Sequence, residues 1–238
     1  MFAYKTGLPV SAACFCMFIL ISPFNFPPKD NVLTAAEKKA GWKLLFDGKS
    51  TNGWRTYKNR PGSWQVSKGE LFCPKGAKDY ADLITNDQYD NFELSIDWKI
   101  GPGANSGIMY HVLETHNAPY ETGPEYQLID DNGYSGKIED WQKSGADYAM
   151  HPPSQLAAKP VGQYNHTRIL FNKGQVEHWL NGVKIAEFTA WSPEWEKLKL
   201  AGKWKDYPDY GKAKLGYIAF QGDHGGGIWF KNIKIRRL

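Results

Sequence analysis

Between Gly123 and Asp131 the chain reads GPEYQLIDD, a stretch of strand character that carries a carboxylate and an amide where a wholly buried strand would be apolar. Side chains alternate faces along a strand, so Glu125 and Gln127 share one face while Tyr126, Leu128 and Asp130 share the other. A carboxylate beside an amide suggests a polar cleft. The same pattern also suits an ordinary solvated sheet face.

Three further segments carry groups capable of chemistry. GANSGIMYH (103–111) leads from two glycines into a strand bearing Tyr110. QVEHWLNG (175–182) sets Glu177 and His178 on opposite faces of a hairpin strand, where His178 reads as structural and bonded across the sheet. QGDHGGGIWF (221–230) holds Asp223 and His224 in a glycine-rich turn. There a histidine can meet a ligand and titrate near neutral pH, or simply be a polar turn residue. Arg168 alternates with Ile169 and could hold a carboxylate or a developing oxyanion, or lie on the surface.

Two absences narrow the field. There is no HExxH, paired CxxC, P-loop or GxSxG motif, so the commonest metal, nucleotide and serine-hydrolase signatures are missing. A retaining glucanase would place two acids on one strand face about 5 Å apart, whereas Glu125 shares its face with Gln127 and Ile129. A loose divalent-ion site drawn from Glu125, Asp130, Asp147, His151 or His224 is not indicated by any spacing, and the metal stays unknown.

The elements that must position these residues are mostly strands. Asn91 to Ile100 alternates strictly, with Phe92, Leu94, Ile96, Trp98 and Ile100 on one face. Runs at 107–113, 125–130, 167–172, 176–180, 183–188, 215–220 and 228–236 have strand length and β-branched or aromatic content. Asn181-Gly182 forms a tight hairpin turn. A short helix over 33–40 carries a Thr34/Glu37 capping box and a Gly41 stop, and a second begins at Ser192-Pro193 and runs to about Leu200. Many short strands with Gly- and Asn-rich turns predict an all-β, two-sheet antiparallel sandwich with one or two short helices. The irregular stretch from Asp131 to Asn165 exceeds ordinary loop length, as functional or lid-like loops do.

Composition bounds the reading. The 238 residues suit one domain, 31–238, after a leader over 1–30, and the ten tryptophans suit both strand-rich cores and sugar-binding clefts. The net charge of +4 is spread along the chain, which argues against nucleic acid. Lys5 precedes an apolar run from Ala12 to Ile21, too short to span a bilayer and suited to a secretory signal. An exported, periplasmic or secreted protein with no stable membrane span is therefore expected. Beyond the leader Cys73 stands alone and reads as a buried core thiol, so no intramolecular disulfide is possible there.

The ordered set GWKLLFDGKSTNGW (41–54), NSGI (105–108), GPEYQLID (123–130), GADYAMH (145–151), VEHWLNG (176–182), the DHG of 223–225 and WFKNIKIR (229–236) resembles the 3-keto-disaccharide hydrolase domain family. The resemblance implies a concanavalin-like jelly roll acting on 3-keto sugars. It carries Glu125, Gln127 and Asp130 onto the family's EYQ-x-x-D strand and His224 onto its DHG turn. Tyr217 stands where many relatives have histidine, and GADYAMH replaces a more widespread L-Y-D. The expected site is Glu125 and His224 as catalytic groups, with Gln127, Asp130, Tyr110 and Arg168 contacting a carbohydrate, and a divalent cation as the one cofactor considered. The alternative function is a non-catalytic, lectin-like carbohydrate-binding module on the same fold.

Overall fold

In the computed structural model the described residues are 1–3, 29–79, 81–222 and 225–238. The leader expected over 1–30 therefore falls almost wholly outside them, as do Asp223 and His224. In chain order the strands are β1 (Lys43–Leu44), β2 (Trp54–Thr56), β3 (Gln65–Ser67), β4 (Glu70–Cys73), β5 (Leu83–Tyr89), β6 (Phe92–Ile100) and β7 (Asn105–Val112). There follow β8 (Glu125–Ile129), β9 (Asn165–Asn172), β10 (Gln175–Leu180), β11 (Val183–Thr189), β12 (Gly216–Phe220) and β13 (Ile228–Arg237), with helices α1 (Ala35–Lys39) and α2 (Pro193–Ala201).

Two antiparallel sheets face each other. The larger runs β11-β10-β9-β6-β13-β4-β3, with β1 added to β13; the smaller runs β2-β5-β12-β7-β8. The alternation read along β6 is what packs them: Phe92, Leu94, Ile96, Trp98 and Ile100 enter the core with Ile108, Tyr110, Tyr126 and Leu128 of the smaller sheet. Cys73 is buried in that core. A chain of hydrogen-bonded side chains crosses the core. Trp98 Nε1 donates to Thr167 Oγ1 at 2.8 Å, and Thr167 Oγ1 donates to the Tyr126 hydroxyl at 2.9 Å, tying one sheet to the other.

Local chemistry sets the turns and caps. Asn181 and Gly182 take φ of 50° and 84°, the left-handed values a two-residue hairpin needs. Thr34 and Glu37 form their reciprocal capping box, and Ser192 caps α2 by accepting from Trp195 N at 3.1 Å. Among the described residues no helix is long and apolar enough to cross a membrane.

The segment from 131 to 164 has a structural task. Strand β8 is the edge of the smaller sheet, and an open edge presents unpaired backbone groups. Residues 145–148 cover it: Gln127 N donates to Ala146 O at 3.1 Å, Gly145 N to Gln127 O at 2.8 Å, and Tyr148 N to Glu125 O at 2.9 Å. The cover is anchored from the larger sheet by His178, whose Nδ1 donates to Gly145 O at 2.9 Å. His178 is fully buried, and burial pushes its pKa down to about 4 against the opposing pull of that carbonyl.

His178 is thus neutral in the folded protein and protonated below about 6.5 in the unfolded chain. Its contribution to stability is complete above that pH and is lost as pH falls toward 4. His178→Gln is expected to cost roughly 1–3 kcal/mol at neutral pH by unpairing buried groups. The gap to wild type should narrow as urea unfolding is repeated at falling pH.

Candidate active site

The site is built on the face of the smaller sheet that looks away from the core. Met109 of β7 pairs with Glu125 of β8, Ala219 of β12 pairs with Met109, and Ile84 of β5 pairs with Ala219, so these four lie in one row across the sheet. Side chains two residues along lie on the same face. The neighbouring row is therefore Asp82, Gln221, Gly107 and Gln127, with Gly107 paired to Gln127 and Gln221 N donating to Gly107 O at 2.9 Å.

Gly107 is the floor of the cleft. A Cβ at that position would lie 1.9 Å from Glu125 Oε1, so the Glu125 carboxyl folds inward over the space that the absent side chain leaves. The cleft above it has a volume of about 250 Å³ and is lined by Asn105, Tyr120, Glu125, Gln127, Tyr148, Lys203 and Gln221. Gln127 turns its Oε1 to Leu128 N at 3.1 Å, which leaves its amide nitrogen for the cleft. Asn105 Oδ1 is buried without a hydrogen-bond partner among the described residues. Such an atom in a polar cleft is an acceptor waiting for a ligand hydroxyl or water.

Burial pushes the Glu125 carboxyl far above the usual carboxylate range, to about 8, and the Lys203 ammonium pulls the other way while Asp82 and Asp147 add to the rise. Lys203 comes from the 3-10 turn Lys203–Asp206 after α2. Its Nζ sits 4.5 Å from the Tyr148 ring centre, 4.6 Å from Trp204 and 5.3 Å from Tyr120, a cation held by aromatic faces. Burial lowers its pKa and the Glu125 charge opposes that fall. A carboxyl near neutrality opposite an ammonium, in a cleft walled by aromatic rings, can take a proton from a carbon acid and stabilise the anion that results.

The residues expected from sequence divide. Glu125 and Gln127 line the cleft together. Tyr110 does not: it points into the core, its hydroxyl 3.4 Å from His178 Nε2, because it follows Met109 on the opposite face of β7. Asp130 closes a turn instead, accepting from Gly103 N (2.9 Å), Gly133 N (2.8 Å) and Asn132 N (3.2 Å). Burial pushes its carboxyl up, but those three N–H groups outweigh it and hold the pKa below the usual value. Arg168 belongs to the larger sheet, donating to Glu93 at 2.8 Å and Glu177 at 3.4 Å and covering the Trp179 ring. The substrate contacts expected from these three are corrected accordingly. His224 lies outside the described residues.

The divalent-ion donors considered above are also dispersed. Asp147 is fully buried and bonds His151 Nδ1 at 2.8 Å, and His151 stacks on Phe188. Among the described residues no group of three or more His, Cys, Asp and Glu could hold a metal ion. Lys203, which lines the cleft, and Asp82, whose charge acts on Glu125, are among the residues that the sequence motifs do not point to. Neither sits in a motif, and only the packing of the 3-10 turn and the cross-strand register reveals them.

The fold is that of the lectin-like jelly rolls: a Bacillus subtilis protein with a galectin-like fold, 13% identical, matches with a TM-score of 0.50 over 77% of this chain and 89% of its own. Residues 41–236 match the model of the 3-keto-alpha-glucoside-1,2-lyase-like domain, and the chain belongs to that family. It is 34% identical over 229 residues to the 3-keto-disaccharide hydrolase of Bacteroides thetaiotaomicron, covering 83% of this chain and 79% of the relative. A crystal structure from Parabacteroides distasonis, of a protein with a provisional glycosyl hydrolase name, is 44% identical with a TM-score of 0.82, over 88% of this chain and all of that one.

Because burial favours the neutral Glu125 carboxyl, the folded state holds more protons than the unfolded one between about 4.5 and about 8, and this group costs stability as pH rises through that span. Glu125→Gln removes the titration. The variant is expected to gain thermal stability relative to wild type from pH 5 to pH 9; a constant difference across that range would contradict the raised pKa.

Proposed function

We propose that the protein is a carbohydrate hydrolase that cleaves the glycosidic bond of 3-keto-glycosides, by C2 proton abstraction, elimination and hydration. The observation that carries this is the Glu125 carboxyl, buried over Gly107 and facing the Lys203 ammonium in a polar, aromatic-walled cleft. The names of the family and of its Bacteroides relative support the same chemistry.

A ketone at C3 acidifies the C2 proton. The Glu125 carboxylate takes that proton, the charge that develops on the C3 oxygen is stabilised by the Lys203 ammonium and the Gln127 amide, and the electron pair moves on to expel the C1 oxygen. A C1=C2 double bond results. Water then adds: its hydroxyl goes to C1 and its other proton ends on the departed C1 oxygen, while the proton held by Glu125 returns to C2, so the net reaction is hydrolysis and Glu125 is regenerated. Tyr120 and Tyr148 supply faces on which the apolar side of a sugar ring packs. His224, two residues after Gly222 in the sequence, is proposed as a further acid or base. The apolar run at 12–21 supports export.

The purified domain, given a 3-keto-glucoside beside the unoxidised glucoside, is expected to release aglycone from the keto substrate alone. Release from both would replace elimination by direct glycoside hydrolysis, and sugar binding with no release from a panel of α- and β-linked keto substrates would favour a lectin-like module. Glu125→Gln should lower turnover at least ~100-fold. Gly107→Ala, which keeps every polar group but drives a methyl into the carboxyl's position and forces it to shift, should also lower turnover; near-wild-type turnover of Glu125→Gln removes Glu125 from the mechanism.

A further inference from the structure

The count of carboxyls along β8 gives Glu125 no acidic partner, yet the sheet supplies one from another strand. Asp82 immediately precedes β5, in the row that continues through Gln221 and Gly107 to Gln127. Leu83 pairs with Phe220, which sets Asp82 beside Gln221. Ile84, Met109 and Ala219 join one small apolar cluster with Tyr57 and Val112, so this row and its neighbour share a face. Three inter-strand spacings of about 4.8 Å, together with the two-residue step of about 6.8 Å from one row to the next, separate the backbones of Asp82 and Glu125, about 16 Å in all. The inward fold of Glu125 over Gly107 shortens that distance at the carboxyl, and each charge is close enough for Asp82 to act on Glu125.

Around Asp82 the cleft opens into a second space. A groove of about 460 Å³, within the range of small-molecule sites, is lined by Tyr57, Arg60, Asp82 and Asn117 and shares Tyr120 and Gln221 with the Glu125 cleft. The half-buried Tyr120 ring, with charged and amide groups beside it, is the kind of surface a sugar ring takes, apolar face on the ring and hydroxyls on the polar groups. Asp82 is fixed at the junction, its Oδ1 accepting from Gly222 N at 2.8 Å, which leaves Oδ2 for the groove. Burial pushes its pKa up to about 7 against that bond and the Arg60 charge, so both proton states are populated near neutrality.

We propose that this groove receives the departing half of the substrate and that Asp82 is the acid that protonates the glycosidic oxygen as it leaves. The inference rests on the elimination reading above. In the first half-reaction the C2–H bond breaks to Glu125, the C1–O bond breaks with its electron pair on the aglycone oxygen, and that oxygen takes the Asp82 proton. The products are an unsaturated keto sugar and an alcohol. In the second half-reaction the Asp82 carboxylate removes a proton from water, the hydroxide adds to C1, and C2 recovers its proton from Glu125. Both carboxyls end as they began, with no oxidant or reductant required.

An acid for the leaving group matters only when the leaving group is a poor one, which gives a test internal to a single protein preparation. Asp82→Asn is assayed on a 3-keto-disaccharide, whose leaving group is a sugar alkoxide, and on 4-nitrophenyl 3-keto-glucoside, whose phenolate leaves unaided. The expected result is a loss of kcat/KM of about 100-fold on the disaccharide and less than about tenfold on the aryl substrate. Equal losses on both substrates, or no loss on the disaccharide, overturn the proposal. A misfolded fraction would lower both rates alike and cannot mimic the expected split. If the wild-type protein releases nothing from either substrate, the elimination reading itself fails and takes this inference with it.

Discussion

The site depends on one missing side chain. Glu125 can lay its carboxyl over the sheet because Gly107, beside it on β7, presents no Cβ to obstruct it. A carboxyl so placed is removed from water, and desolvation disfavours its charged form until neighbouring charges intervene. Lys203 and Asp82 then act on it in opposite directions, one favouring the anion and the other the acid. The result is a group that exchanges protons in the neutral range, set by geometry that a single methyl would disturb.

The surrounding structure serves that placement. Since β8 is an edge strand, its backbone groups need partners, and residues 145–148 provide them while delivering Tyr148 to the cleft wall. The same segment is held from behind by His178, so a buried histidine of the larger sheet steadies the wall of a cleft on the smaller one. On the opposite side, α2 and the 3-10 turn after it bring Lys203 over the cleft on a stack in which Trp204 lies against Tyr210 at 3.9 Å and Tyr210 against Trp195 at 6.0 Å. Much of the aromatic content that could have meant sugar recognition is spent on this support. Among the described residues, the half-buried rings that line the cleft and groove are Tyr120 and Tyr148.

Much of the fold was legible because alternation is a local signal. The strict pattern of 91–100 became β6, Asn181-Gly182 became the hairpin turn, and Thr34 and Ser192 capped their helices as their side chains allow. Strand β5 was not visible. LITNDQY mixes an apolar start with Asn, Asp and Gln, residues of weak strand preference, and only pairing with β2 and β12 makes it a strand. With β5 unseen, Asp82 at its head was unseen as well. Asp130 and Tyr110 were read as site residues through motif and neighbourhood, yet each lies on the core-side parity of its strand, opposite to the face that carries Glu125.

By itself the sequence determined the sandwich, the parity that puts Glu125 and Gln127 together, and membership of the family, all of which rest on short-range spacing or on ordered motifs. Tertiary structure alone decided what surrounds Glu125. Gly107 is 18 residues away, Asp82 is 43 and Lys203 is 78. They meet through antiparallel register across four strands and through the packing of a turn onto tyrosines. Such contacts are set by how strands of different sequence align when the core closes, and nothing in the spacing of residues along one strand encodes them.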